Sequence, residues 1–433
     1  MKKGKDSNAA PPCVFNHPDR GGLGKSAAGL RGGVSHATRN PETRSRPQTN
    51  LPHPTHKRSP FPVAPPPAGG PEEPLSLLLS VATNSSGYVF VGTAASAGVG
   101  RVRIITPDGA LATIRDSGST GAPFSFMAGD DYDQGVFAMA VAPDGDILIC
   151  SLTQMYEFDA AASDEPPEMV LDGFSGLYGI AVHPDGRIFL ANSYNNTIYV
   201  AKEDSDDEWS KEVFAGSGAT YSLGARNVFD GVGTAATFDQ PSGLALDALR
   251  GVLYVSDSAA NLVRAVNLAT KVVTTLAGDA ATALAHSGLP GPNAGFSDGM
   301  GTAVRFQAPL GLTLDAAGNV FIVDELGSSP VQVNKEGGGV RLLSGKDVYT
   351  VAGSPEHGTA NGPGDVALFN YPTGIATLPV ASFGKPAGTM LIVDGVTFKK
   401  RAWPCSFCPP APSRPLPGPP LTHSTLPQMQ CAR

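Results

Sequence analysis

The chain has 433 residues, with 39 Asp and Glu against 31 Lys and Arg and an apolar share of 41%. That balance suits a globular core, and no stretch approaches the roughly 18 consecutive apolar residues of a membrane-spanning helix. Its 5 cysteines, Cys13, Cys150, Cys405, Cys408 and Cys431, sit mostly near the two ends and do not form a disulfide framework.

From Met1 to Pro74 the chain carries fourteen prolines and eleven Lys and Arg against five Asp and Glu. A segment with so little apolar surface cannot offset its ordering entropy, so residues 1–74 are expected to be a disordered basic extension. It is poor in acid and contains Arg and Ser, which also suits an organelle transit peptide, whereas no apolar region of a secretory signal precedes Leu75. Gly24-Lys25-Ser26 resembles the end of a phosphate-binding loop, but the earlier glycine would fall at Asp19 and no strand precedes it.

Between Leu75 and Trp403 the balance reverses, with eighteen Lys and Arg against thirty-four Asp and Glu, a net charge of −16. Phosphate backbones are bound by neutralising them with Lys and Arg, so an acidic body disfavours nucleic acid. Short apolar strands separated by Pro, Asp and Asn-Gly turns fill this region, and helical periodicity is almost absent. Two-strand units read SVATNSSGYVFVG (Ser80–Gly92), AVAPDGDILICS (Ala140–Ser151), IAVHPDGRIFLAN (Ile180–Asn192), LALDALRGVLYVSD (Leu244–Asp257) and LTLDAAGNVFIVD (Leu312–Asp324). A last one joins GIATLP at Gly374 to MLIVD at Met390.

Equating Ser80, Ala138, Gly179, Gly243, Gly311 and Gly374 gives six units. Third strands are predicted at Arg101, Thr197, Leu262 and Val340, and fourth strands at Ala110, Lys211, Lys271 and Asp347. Four antiparallel strands repeated radially leave only short, protected edges, as in a propeller. Unit six is expected to be incomplete. Its third strand would run through Thr397–Trp403, but Pro404, Pro409, Pro410 and Pro412 stand where the fourth should lie, and proline cannot donate to a ladder.

One phrase is written three times: FDGVGTAATFDQPSGLALD from Phe229, SDGMGTAVRFQAPLGLTLD from Ser297, and ANGPGDVALFNYPTGIATL from Ala360. Its columns are Asp230, Asp298 and Asn361; Phe238, Phe306 and Phe369; Pro241, Pro309 and Pro372; and Gly243, Gly311 and Gly374. A fixed-period repeat fixes the architecture. Gly231-x-Gly233-x-x-Ala236 mimics a dinucleotide fingerprint, but it leads through Phe and Pro into a strand instead of opening a helix, so it reads as a connector.

The string VTTLAG, DGxGTAxxF, xxPxGLxLD, LYVSD and NLVR resembles the NHL repeat over roughly Leu75 to Trp403. The resemblance implies an all-β, six-bladed β-propeller from 75 to 403, and the proline content of residues 404–433 predicts a disordered tail. The family it points to consists mainly of interaction modules, with some RNA-binding members and distant lyase and lactonase propellers. Fold alone does not choose among these.

Asp257, Asp324 and Asp394 close second strands, as does Asn192. Such residues ordinarily cap the following turn by hydrogen bonds to backbone. With Asp230, Asp298 and Asn361 they would mark a partner-binding face, or an electronegative mouth able to hold calcium weakly. No other cofactor is expected. Of the histidines in this region, His183 belongs to a turn on the opposite side, and His286 and His357 are too few for a three-ligand catalytic zinc. Cys405-x-x-Cys408 lacks a second ligand pair. The expected function is a non-catalytic scaffold binding a protein or peptide through its loop-rich face. The alternative is a metal-dependent hydrolase or lactonase resembling gluconolactonase-type propellers, which would need a buried Glu such as Glu325 or Glu356 among the mouth ligands.

Overall fold

The computed structural model describes residues 78–93, 100–113, 135–159, 167–204, 208–218, 228–282, 294–325, 337–364 and 366–394. Both expected tails, the strand expected over 397–403, His286 and the Cys405/Cys408 pair lie outside them. Among the described residues the regular structure is β-strand and short 3-10 turns only. Sheet 1 holds β1 (Leu78–Thr83), β2 (Val89–Thr93), β3 (Arg101–Ile105) and β4 (Leu111–Thr113). Sheet 2 holds β5 (Ala138–Val141), β6 (Ile147–Cys150), β7 (Met155–Phe158) and β8 (Glu168–Leu171). Sheet 3 holds β9 (Leu177–Val182), β10 (Ile188–Asn192), β11 (Thr197–Glu203) and β12 (Trp209–Ala215).

Sheets 4 and 5 gain a fifth, two-residue strand that sequence reasoning did not foresee. In sheet 4, β13 (Gly231–Val232) is added outside β17 (Val272–Ala277), beyond β14 (Pro241–Asp247), β15 (Val252–Asp257) and β16 (Leu262–Asn267). In sheet 5, β18 (Gly299–Met300) lies outside β22 (Asp347–Ser354), beyond β19 (Pro309–Leu314), β20 (Val320–Glu325) and β21 (Gly338–Ser344). Sheet 6 is two-stranded, β23 (Pro372–Thr377) against β24 (Met390–Asp394). Among the described residues the complete blades number five, and the sixth, expected from the sequence to be incomplete, is described through its inner pair.

The sheets meet face to face through apolar clusters. Phe90 and Ile104 of sheet 1 pack with Ile147 and Ile149 of sheet 2, and Phe189 of sheet 3 with Val255 and Phe238 of unit four. Ala245 and Val263 meet Phe306 and Ile322, and Val323 and Val340 meet Phe369 and Ile392. Leu378 and Leu391 of sheet 6 pack in turn on Val89, Val91 and Ile105 of sheet 1. That contact closes the ring, with Thr83 Oγ1 donating to the Thr377 carbonyl at 2.9 Å and Thr373 Oγ1 to the Leu79 carbonyl at 3.2 Å. Val255 and Val323 are fully buried between sheets, as the alternation of β15 and β20 predicts.

The repeated Phe column fills these seams, since Phe238, Phe306 and Phe369 are at most 4% exposed. The Gly column has a different cause. A Cβ on Gly179 would stand 1.9 Å from the Ser242 carbonyl oxygen, and one on Gly243 would stand 2.0 Å from that of Leu310. At Gly179, Gly243 and Gly311 the inner strand thus approaches the next inner strand too closely for a side chain, whereas a Cβ on Gly374 would make an ordinary contact, 3.4 Å from the Leu79 carbonyl oxygen.

Candidate functional site

Two ends of the ring must be distinguished. At the connector end, inner strands begin and second strands finish, as the pairs Pro241 with Asp257 and Pro309 with Asp324 show. Here neighbouring units are stitched together: Ser193 Oγ donates to the Pro241 carbonyl at 2.5 Å, Ser258 Oγ to the Pro309 carbonyl at 2.5 Å, and the Gln240 amide to Asn196 Oδ1 at 2.8 Å.

The acids singled out from the sequence fall into separate groups at this end. In unit four, Asp257 Oδ1 accepts the Asp239 amide at 2.6 Å and its Oδ2 accepts Arg264 Nη1 at 2.9 Å. Arg264 Nη2 donates to Asp230 Oδ1 at 2.9 Å and to the Phe229 carbonyl at 3.0 Å, and its guanidinium lies 5.2 Å from the Phe238 ring centre. Thr275 Oγ1 donates to Asp230 from the outer strand at 2.9 Å. Unit five repeats the design. Asp324 Oδ1 accepts the Gln307 and Ala308 amides at 2.9 and 3.1 Å, Arg341 bridges Asp324 and Asp298 at 3.0 Å each, and Thr350 Oγ1 donates to Asp298 at 2.7 Å.

Each clamp binds the second, third and outer strands to the connector. Both arginines are fully buried, and so are Asp257 and Asp324, while Asp230 and Asp298 keep 49% and 47% of their side chains exposed. A buried charge survives only when paired and hydrogen-bonded. Burial raises the Asp257 carboxyl to about 7 and that of Asp324 to about 6, with Arg264 and Arg341 pulling the other way. The Nε of each arginine is buried without a partner among the described residues.

The remaining members of the column behave as caps. Asp394 Oδ1 accepts the Asn370 and Tyr371 amides at 2.8 and 2.7 Å, and Asn192 Oδ1 accepts the Ser175 amide at 2.8 Å. Asn361 is exposed on its connector. The six expected site residues thus fall into three groups. Asp230 and Asp257 share one guanidinium, Asp298 and Asp324 another, and Asn361 and Asp394 stand in unit six. Among the described residues, no group of three or more His, Cys, Asp or Glu is placed to hold a metal ion. Glu325 is half-buried at the end of β20, and burial together with the Asp324 charge raises its carboxyl to about 7.

Sequence reasoning missed an aromatic ladder at the same end. Phe137 precedes β5, Tyr178 lies near the start of β9, and Tyr194 occupies the 3-10 turn after β10. Phe137 meets Tyr178 edge to face at 5.3 Å, and Tyr178 meets Tyr194 at 5.9 Å with their hydroxyls 2.9 Å apart. Tyr194 is 44% exposed. Burial and the neighbouring hydroxyl raise the Tyr178 pKa. Gly176 permits this arrangement, with φ of +81° and room for no Cβ, which would come within 2.9 Å of the Tyr194 ring. Phe137 and Tyr178 hold the same repeat position in units two and three, one residue before Ala138 and Gly179, whereas Tyr194 lies on the turn after β10.

No family model matches the chain. It is 28% identical over 159 residues to human NHL repeat-containing protein 2, and 26% identical over 184 residues to protein SUPPRESSOR OF QUENCHING 1, chloroplastic, of Arabidopsis thaliana. Those matches take in 37% and 42% of this chain but only 20% and 16% of the relatives' own lengths. Among solved structures, a Bacteroides thetaiotaomicron protein of unknown function superposes with a TM-score of 0.51 at 18% identity, covering 75% of this chain and 68% of its own. An auxiliary nutrient binding protein of the same organism gives 0.52 at 12%, covering 74% and 67%. At such identity the likeness concerns fold alone. The ring of antiparallel sheets makes this chain a β-propeller, and over 159 residues it is similar to a human NHL repeat-containing protein.

Proposed function

We propose that the chain is a non-catalytic scaffold that holds a protein or peptide partner on its connector end. The observation that carries this reading is the Phe137, Tyr178 and Tyr194 ladder. Tyrosines offer large, rigid contact area with a polar tip at low entropic cost, and anchor residues of interfaces are enriched in them. Asp230, Asp298 and Asn361 form the polar rim, where a rim charge sets orientation and on-rate more than affinity. Asp257 and Asp324 act behind them, fixing the arginines that in turn fix Asp230 and Asp298, while Asp394 shapes the entry to β23.

The net charge of −16 between residues 75 and 403 favours basic partners over nucleic acid. Carboxylates already shared with guanidinium groups offer little to a metal-dependent hydrolase. The test is selection of binders from a displayed peptide library with the full chain. Peptides enriched by the wild type should lose at least tenfold in affinity on a Tyr178→Ala, Tyr194→Ala double variant and carry net positive charge. Selected peptides that bind the double variant equally well would sink the assignment.

A further inference from the structure

The opposite end of the ring holds a cavity of about 340 Å³ between units three and four, lined by His183, Arg187, Arg250, Asn267, Leu268 and Ala269, with Gly251 at its edge. It is built from three turns: β9 to β10, β14 to β15, and β16 to β17. Its polar groups are sorted in an unusual way, because the acceptors are consumed and the donors are left over. The Gly251 carbonyl accepts the Leu268 amide at 2.9 Å, the Asn267 carbonyl accepts the Lys271 amide at 2.9 Å, and the Arg187 carbonyl accepts the His183 amide at 2.8 Å. Asn267 Oδ1 takes the Ala269 and Thr270 amides at 3.1 and 2.8 Å and the Thr270 hydroxyl at 2.9 Å, which fixes the orientation of the amide and leaves Nδ2 to donate.

The cations are held from behind. Arg187 Nε sits on Asp185 at 2.9 and 3.2 Å, and its two terminal nitrogens have no protein partner among the described residues. His183 turns Nδ1 toward Asp185 Oδ1 at 2.7 Å, and the Asp185 amide also reaches that nitrogen at 3.2 Å. Arg250 is anchored by Asp247 at 2.5 Å and by the Ala317 carbonyl at 3.1 Å. Asp185 and Asp247 neutralise formal charge, and both terminal nitrogens of Arg250 already hold a partner, so the unclaimed guanidinium donors are those of Arg187. A planar fork with free donors matches a tetrahedral or planar oxyanion, and a few convergent polar groups beside apolar wall are the usual make-up of a small-ligand site. Leu268 and Ala269 supply that wall.

We infer that this cavity is an oxyanion site that takes a small phosphate ester, with Arg187 and Asn267 Nδ2 donating to the phosphate. Titration calorimetry of the full chain with O-phospho-L-serine and with inorganic phosphate tests it. Saturable binding is expected, tighter for the ester, and reduced at least fivefold in Arg187→Ala, whose side chain bonds only to an exposed turn. Asn267→Asp keeps the turn's acceptor and replaces the donor by an anion, so it should abolish binding while the melting temperature holds. Lys346→Ala, which removes an equal charge on a distant turn, should bind as the wild type does. Absence of saturation up to about 10 mM, or equal losses in Arg187→Ala and Lys346→Ala, would overturn the site.

Discussion

Units four and five place arginine at the third-strand position where units two and three place tyrosine. Register identifies the column: Ile149 faces Tyr156, Leu190 faces Tyr199, Val255 faces Arg264 and Ile322 faces Arg341. In the first pair of units the side chain is half-buried and neutral. Tyr156 donates to Gln154 at 2.6 Å, and Tyr199 meets Phe174 edge to face at 5.6 Å. In the second pair it is a fully buried cation held by two carboxylates. Units four and five spend buried connector-end charges on tying their own strands to the connector, and units two and three leave aromatic surface open to solvent.

The largest expected effect tests that contrast at Arg264. Arg264→Ala would leave Asp257 buried without its counter-charge and should lower stability by about 3–5 kcal/mol in urea unfolding. Arg264→Lys should rescue little, because a single ammonium cannot bridge Asp257 and Asp230 with a fork. A loss below about 1 kcal/mol would mean that the clamp does not distinguish the two halves.

A smaller effect is expected in the tyrosine half. Gly176→Ala puts a Cβ at a φ of +81° and within 2.9 Å of the Tyr194 ring, so it should cost about 1–3 kcal/mol and displace Tyr194. Loss of peptide binding in this variant, with the clamp units unaffected in amide exchange, would show that the two regions are energetically separable.

How much of this was legible follows the range of each interaction. The repeated Phe, Pro and Gly columns are set by what a neighbouring blade demands at a fixed period, so the sequence exposed them. The acids at strand ends were legible as caps, and Asp394 and Asn192 act as such. Their arginine partners were not, because Asp257 and Arg264 lie seven positions apart while Asp324 and Arg341 lie seventeen apart, separated by loops of different length. Strands β7 and β8 were also missed, since they are short and unit two carries no copy of the written phrase. The oxyanion cavity draws on turns from two units, and only His183 had been noticed.

A third prediction uses pH to probe the half without clamps. Glu157 in β7 has its carboxyl raised to about 7, first by burial and then by Glu203, Asp146, Asp144 and Glu168. A folded-state value above the unfolded one means that the folded protein binds more protons between roughly pH 4.5 and 7, so stability falls as pH rises through that window. Glu157→Gln should therefore melt higher than wild type at pH 8, by about 1 kcal/mol after allowance for solvent screening, and no higher at pH 4.5. A difference that is constant with pH would mean that the side chain is not titrating in its folded setting.

The smallest effect is the most specific to the aromatic ladder. Tyr178→Phe keeps the ring, its edge contact with Phe137 at 5.3 Å and the packing over Tyr194, and removes only the hydroxyl that meets Tyr194 at 2.9 Å. Because Tyr194 remains solvent-accessible, water replaces the lost partner, and the change in stability should stay at or below about 1 kcal/mol. The hydroxyl pair nevertheless fixes the rotation of Tyr194 about its side-chain bonds, and an anchor held in place before binding loses less entropy when its partner arrives. Tyr178→Phe should therefore weaken the selected peptides by about fivefold, mainly through faster dissociation, while leaving the thermal midpoint nearly unchanged. Equal binding by Tyr178→Phe, alongside strong loss in Tyr178→Ala, would assign the ladder a purely apolar role and remove the hydroxyl pair from recognition.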